Sequence, residues 1–270
     1  MVGIDPNPSE LWPQCGGDGG AAAVLAHCQA VIGAVAEAAV AVKFQLAWFE
    51  RLGRDGLAVL AEAAGFAKEA GLLVIYDGKR GDIPHTAAAY AQALLGKEGL
   101  DGDALTVNPW FGEEGIHPFL SLARREGKGV FVVVRSSNRG GADLQELELT
   151  GGGRVWERLA DLLCQLAQGG AGGELGAVVG ATVPEALRRA RAILGDLPLL
   201  VPGVGAQGGR VEDLVGGLWA GPEPQRRASL LVTAARSVVN AWQLEGGSPP
   251  RAAARAAERL RAAVWAVADG

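Results

Sequence analysis

Residues 72–86 read LLVIYDGKRGDIPHT. An apolar run of the kind that forms a buried strand, LLVIY, is followed at once by four charges in the six positions of DGKRGD. In an extended strand residues i and i+2 face one side, so Asp77 and Lys79 are expected to share a face, with Gly78 turned away. A second apolar run, over 40–46, carries Lys43 near its end, and Lys43 is expected to project beside them from the adjacent strand. Most charge runs are solvated strand ends. Here only five of the 25 basic residues are lysines, and two of the five fall on neighbouring strand ends, which favours a functional Lys-Asp-Lys cluster.

Outward from this stretch the pattern repeats. Apolar runs suited to buried strands lie at 1–4, 40–46, 72–76, 103–107, 129–134, 176–180, 198–204 and 229–233. Between them, segments with helical spacing lie near 21–39, 55–70, 85–97, 113–126, 153–168, 183–194, 211–218 and 250–268. Strand then helix, eight times over, predicts an α/β fold with a closed parallel (β/α)8 barrel, and an open doubly wound sheet is the second choice. The length of 270 residues is close to the ~250 typical of one such barrel, so residues 1–270 are read as one domain. The Gly-rich pieces GGDGG, GGG and QGGAGG fall between elements and are read as loops.

Composition excludes several classes. A net charge of −5 with scattered basic residues argues against nucleic-acid partners. The long apolar stretch AVIGAVAEAAVAVKFQLAWF is broken by Glu37 and Lys43, too soon for a membrane span. Cys15, Cys28 and Cys164 are odd in number and widely spaced, which fits a reducing, cytoplasmic setting. His27, His85 and His117 are isolated and are read as ordinary surface or loop residues, and no metal site is expected.

In a barrel the strands end at the face where active sites are built. The strand ends here carry Asp5, Lys43, Asp77, Lys79, Asn108, Ser136, Ser137, Thr182, Gln207 and Arg236. After the seventh run comes PGVGAQGG, residues 202–209, where glycine lets the backbone approach an anion closely, and Arg236 follows the eighth. With 41 glycines in the chain a Gly-rich loop alone is weak, but this placement favours a phosphorylated small molecule.

These residues carry a family resemblance. YDGKRGDIPHT is similar to the Asp-x-Lys-x-x-Asp signature of the orotidine 5′-monophosphate decarboxylases. GIDPNP, VKFQLAWFE, LTVNPWFG, RSSN with DLQ, VVGATVPEAL and PGVGAQGG follow in the order and spacing of one branch of that family, from Asp5 to Arg236. Gly78, Arg139 and Ala235 depart from the usual residues, and none is a tetrad position. The chain opens almost on its first strand, where relatives usually carry a preceding segment, so the barrel floor is expected to be less covered.

The resemblance implies a charged tetrad of Lys43, Asp77, Lys79 and Asp82, with Asp82 contributed by the partner subunit of a homodimer and Lys79 as proton donor. It places Ile83 and Thr86 across that interface, Asp5 and Lys43 on the ribose, and Ser137 on the pyrimidine, with Ser136 as the other alignment. Pro202 then lies against the substrate, with Gln207 and Arg236 on the phosphate. The implied reaction is conversion of orotidine 5′-monophosphate to UMP and CO2 in pyrimidine biosynthesis, without metal or organic cofactor. The loop over 206–226, rich in Gly and Pro, is the expected lid. Two other readings stand beside this one. The keto-gulonate phosphate decarboxylases share Asp-x-Lys-x-x-Asp but need a further carboxylate on the second strand for Mg2+, and that strand offers Lys43 and Gln45. A non-catalytic nucleotide-binding barrel would not require a complete tetrad.

Overall fold

A computed structural model describes residues 1–16, 19–168 and 174–269. Eight strands run in order around one sheet: β1 (Val2–Ile4), β2 (Ala41–Gln45), β3 (Leu73–Arg80), β4 (Ala104–Val107), β5 (Gly129–Arg135), β6 (Leu175–Val179), β7 (Leu199–Val201) and β8 (Leu230–Val232). Every strand pairing described is parallel. Just past β8, Ala234 bridges Val2 of β1 in parallel, and the curled sheet is that of a (β/α)8 barrel.

The helices are α1 (Ala21–Val35), α2 (Leu46–Glu50), α3 (Gly56–Glu69), α4 (Pro84–Leu95), α5 (Gly112–Glu126), α6 (Val155–Ala167) and α7 (Pro184–Leu194). Three short ones follow, α8 (Gln225–Ala228), α9 (Arg236–Val239) and α10 (Trp242–Glu245), then α11 (Pro249–Asp269). The parallel strands are almost wholly apolar because both faces are covered, so a period of two is absent from their sequences. The Gly-rich pieces expected as loops at 16–20 and 168–173 lie partly outside the described residues.

By its internal contacts the chain forms two compact units. The first, Met1–Gly78 with Ala234–Ala262, is built on β1, β2 and most of β3. Its core includes Ile4, Phe44, Phe49 and Tyr76, with the Phe44 and Phe49 rings edge to face at 5.7 Å. The second, Lys79–Thr233 with Ala263–Gly270, holds β4 to β8, with Leu105, Phe119, Val132, Trp156 and Leu199 in its core.

The short helices α2, α8, α9 and α10 were not expected from sequence, and three expected elements differ in extent or type. β3 continues through the charges to Arg80, because Thr106 of β4 and Asn108 just past it supply partners to its backbone. The seventh run, expected over 198–204, is strand only to Val201; Pro202 cannot donate to a ladder and Gly203 takes a left-handed φ of +97°. The segment expected to be helical over 211–218 is a 3-10 helix, Glu212–Gly217. Its Gly216 and Gly217 disfavour an α-helix, and a Cβ at Gly217 would strike the Leu187 side chain.

His27 is a correction: it is 3% exposed, not a surface or loop residue. It sits in the buried stripe of α1 with Val24, Cys28 and Val31, where spacings of three and four place residues on one face. Its Nδ1 accepts the Trp12 N–H at 3.1 Å, the two rings meet edge to face, and Trp12 Nε1 donates to the Val239 carbonyl at 2.9 Å. This knot ties the segment after β1 to α9, whose first residue is Arg236. His85 and His117 are exposed as expected. Burial lowers the His27 pKa from 6.5 to about 4. Between those values the unfolded chain binds more protons than the native one, so the stability from neutral His27 is full above 6.5 and is lost as pH falls toward about 4. The thermal midpoint should therefore drop between about pH 7 and about pH 5, and His27→Gln should flatten that slope. An unchanged slope in the variant would contradict the assignment.

Candidate active site

The polar residues singled out in the sequence lie at the C-terminal ends of strands or in the loops that follow them. In the first unit, Lys43 of β2 and Asp77 of β3 are 6% and 7% exposed, and Lys43 Nζ meets Asp77 Oδ2 at 2.5 Å. The register pairs Gln45 with Asp77, so Lys43 reaches diagonally along the sheet, and Gln45 Nε2 stands 3.4 Å from the same oxygen. Taking two charges out of water costs several kcal/mol per ion, which close pairing offsets only in good geometry. A buried ion pair at a strand end is thus weak as a stabilising device and costly to keep. Asp5 follows β1 and Arg236 opens α9, and both line one small cavity with Gly3, Glu10 and Asn240.

In the second unit, Lys79 is exposed and has φ of +45°, in the left-handed region. The expected alternation therefore stops short of it: Asp77 is extended and buried, whereas at Lys79 the backbone turns, so the period-two rule no longer fixes a shared face. Lys79 lines a cavity of about 540 Å3 with Asn108, Trp110, Phe111, Ser136 and Gln145. Asp82 is half-buried just before α4 and accepts the Ile83 N–H at 2.7 Å. Ile83 is 56% exposed, and Thr86 lies in the first turn of α4.

The two serines after β5 take different partners. Ser136 turns back to Gln145, whose Oε1 accepts from its N–H at 2.9 Å and its hydroxyl at 3.1 Å. Ser137 Oγ donates to Gln207 Oε1 at 2.6 Å, joining the loop after β5 to the loop after β7, and its carbonyl accepts from Thr182 Oγ1 at 2.9 Å. An irregularity in β5 between Val133 and Arg135 precedes this segment. The buried Arg135 holds Glu146 at 3.0 Å and the Ser136 carbonyl. Glycine permits the crowding: a Cβ on Gly180 would come within 2.5 Å of the Ser137 Cα, and one on Gly203 within 3.0 Å of the Ser137 Cβ. Gly203 also needs its left-handed φ, which explains the Gly of PGVG twice over.

PGVGAQGG differs from expectation in one respect. The N–H groups of Gly205, Gly208 and Gly209 donate to carbonyls of the loop itself, which shapes it as a turn rather than aiming those amides outward. Arg191, 7% exposed, donates from its guanidinium to the carbonyls of Gly217, Gly195, Leu197 and Ser229. Burial lowers its pKa to about 10. Arg135, Gln145 and Arg191 were not singled out from sequence; an Arg at the end of VFVVVR and one in the apolar stripe of α7 were the available signals.

A family model described as orotidine 5′-phosphate decarboxylase / HUMPS family matches residues 2–256. The chain belongs to this family. It is similar to the protein named orotidine 5′-phosphate decarboxylase of Rhodopirellula baltica, 39% identical over 260 residues that cover 90% of this chain and 84% of that one. Against the Deinococcus radiodurans protein of the same name it is 42% identical over 239 residues, covering 87% and 84% of the two chains. Among solved structures it resembles the OMP decarboxylase of Leishmania donovani, with a TM-score of 0.81 and 32% identity over 100% of this chain and 93% of that one. Among the described residues, no helix is long and apolar enough to cross a membrane, and no group of three His, Cys, Asp or Glu side chains is placed to hold a metal ion.

Because Asp77 is buried against Lys43, removing the ammonium alone strands a carboxylate. Lys43→Met should lower unfolding stability by about 3–5 kcal/mol in urea titrations, and adding Asp77→Asn should recover part of the loss. No recovery in the double variant would show that the pair is not coupled.

Proposed function

We propose that this chain decarboxylates orotidine 5′-monophosphate to UMP and CO2 in the synthesis of pyrimidine nucleotides, without metal or organic cofactor. The observation that carries the reading is the buried Lys43–Asp77 pair leading along β3 to Lys79, within a family named for this activity. In the reaction the C6–carboxylate bond breaks, CO2 departs, and the electron pair left on C6 takes a proton from the Lys79 ammonium. Solvent then reprotonates Lys79.

The pyrimidine ring offers no easy electron sink, so the protein must meet the charge developing at C6. Enzymes lower barriers by ~8–23 kcal/mol, and a case with no cofactor needs the upper part of that range. A single ion pair at 4 Å supplies only ~4 kcal/mol at an effective dielectric of 20. The larger share comes from groups held in place before the substrate arrives, which is the part played by Asp77, Lys43 and Asp82 around the Lys79 ammonium. Asp5 and Lys43 hold the ribose, and Pro202 lies against the substrate. Ser137 contacts the pyrimidine and Gln207 and Arg236 the phosphate. The Ser137–Gln207 hydrogen bond supports Ser137 over Ser136 for this role, since Ser136 is engaged by Gln145. Phosphate binding far from C6 serves to order these loops and orient the ring, so that remote contacts act on the rate.

In this reading the eight strands work as one catalytic domain in the cytoplasm, as a homodimer in which Asp82, Ile83 and Thr86 complete the neighbouring site. Exposed Ile83, Trp110 and Phe111 support an apolar subunit contact on that face. A metal-dependent sugar-phosphate decarboxylase is disfavoured because β2 presents Lys43 and Gln45 where a carboxylate ligand would stand.

Purified protein given orotidine 5′-monophosphate in EDTA should consume the orotate chromophore, and Lys79→Ala should abolish turnover while keeping the fold, since a charged strand-end side chain carries little core packing. Substantial turnover by Lys79→Ala would remove the proton-donor role. Mixing tests the shared site. Lys79→Ala and Asp82→Ala homodimers should each be inactive, yet random reassortment of equal amounts should restore about a quarter of wild-type activity through one intact site per mixed dimer. No regained activity after confirmed subunit exchange would place Asp82 in its own subunit's site.

A further inference from the structure

We infer that Thr106 and Asn108, at the end of β4, are positioning residues that clamp the Lys79 peptide in its left-handed conformation and so fix where its ammonium is carried. The inference rests on the decarboxylase reading and names what holds the proton donor in place.

Lys79 is one of two non-glycine residues with positive φ among those described, at +45°. Such a conformation is strained in a residue with a Cβ and persists only where the surroundings hold it. Lys79 keeps this angle within β3, where both polar groups of its backbone meet side chains from the next strand and the residue after it. Thr106 Oγ1, on a residue 1% exposed, accepts the Lys79 N–H at 3.0 Å. Asn108 Nδ2 donates to the Lys79 carbonyl at 3.0 Å. An acceptor and a donor two residues apart on one strand end thus grip both polar groups of one peptide residue.

Asn108 is itself fixed. Its N–H donates to the Arg80 carbonyl at 2.9 Å and its Oδ1 accepts the Trp110 N–H at 3.1 Å, an Asx turn that leaves the Nδ2 aimed at Lys79. The amide also lies against Gly81: a Cβ there would come within 2.5 Å of Nδ2 and 2.7 Å of Cγ and Oδ1. Gly81 is not among the left-handed glycines, so its place in DGKRGD is explained by the clamp and not by its own backbone angle. Relaxing Lys79 to an extended φ would swing its Cβ away and carry the ammonium with it.

Three variants act on the clamp from different sides. Thr106→Val keeps the branched shape and removes the acceptor; Asn108→Ala removes the donor; Gly81→Ala displaces the Asn108 amide without altering either clamp residue. Each should lower kcat ~10- to 100-fold, as expected for misplacement of a reacting group by about 1 Å. KM should stay within about two-fold, because contacts to the substrate elsewhere are kept. Thr106→Ser should restore kcat, and Gly81→Ala should cost nothing further in the Asn108→Ala background, where the group it displaces is gone. Unchanged kcat in Thr106→Val and Asn108→Ala, or loss in Thr106→Val without rescue by Thr106→Ser, overturns the inference. If Thr106→Val does not fold, Asn108→Ala and Gly81→Ala at the loop edge carry the same test. A crystal structure of Thr106→Val, Asn108→Ala or Gly81→Ala in which Lys79 keeps its positive φ overturns the clamp whatever the activity. Wild-type protein inert toward orotidine 5′-monophosphate instead overturns the decarboxylase reading, and the Lys79 backbone in those crystals still decides the clamp.

Discussion

Two opposite charges, Lys43 and Asp77, are held 2.5 Å apart and almost out of water at the end of an otherwise apolar stretch of sheet. Hydrophobic burial would place Val, Ile or Leu there and gain stability. Keeping a lysine and an aspartate instead commits the structure around them to rigidity, because a loosened pair would admit water and lose the mutual attraction that offsets desolvation. The parallel strands provide that rigidity: a ladder bonded on both sides fixes the Cα of residue 43 against residue 75 and of residue 45 against residue 77. Preorganised charge of this kind is what a decarboxylation without an electron sink requires.

The same demand for fixed geometry explains the small residues beyond the strand ends. Gly180 and Gly203 let the Ser137 backbone and the loop after β7 come closer than any Cβ would allow, and the Ser137–Gln207 hydrogen bond then joins two loops that are 70 residues apart. Buried arginines also bind backbone carbonyls: Arg191 takes four, and Arg135 takes the Ser136 carbonyl while its own charge is met by Glu146. Loops bonded in this way present a side chain in one orientation.

Much of this was legible in the sequence. Eight apolar runs separated by helical spacing define the strand order, because parallel strands covered on both faces cannot tolerate polar residues except at their ends. For the same reason the end residues stand out: Asp77 and Lys79 lie near the end of β3, Lys43 lies within β2, and Asp5, Ser137, Gln207 and Arg236 follow their strands. His27 taken alone reads as a surface residue, whereas its place in the stripe of Val24, Cys28 and Val31 encodes its burial. The strand limits at Arg80 and Val201 were missed, since one depends on side-chain partners from β4 and the other on a left-handed glycine.

The sequence by itself determined the strand and helix order, the family and the set of polar residues at the strand ends, because periodicity and motif spacing are properties of the chain alone. Only the tertiary structure decided how those residues are held: that Asp77 is buried against Lys43, that Ser137 and not Ser136 meets Gln207, and that Lys79 takes a left-handed φ within β3. Each of these depends on hydrogen bonds between residues far apart in sequence, and a one-dimensional pattern carries no record of which distant donor meets which acceptor.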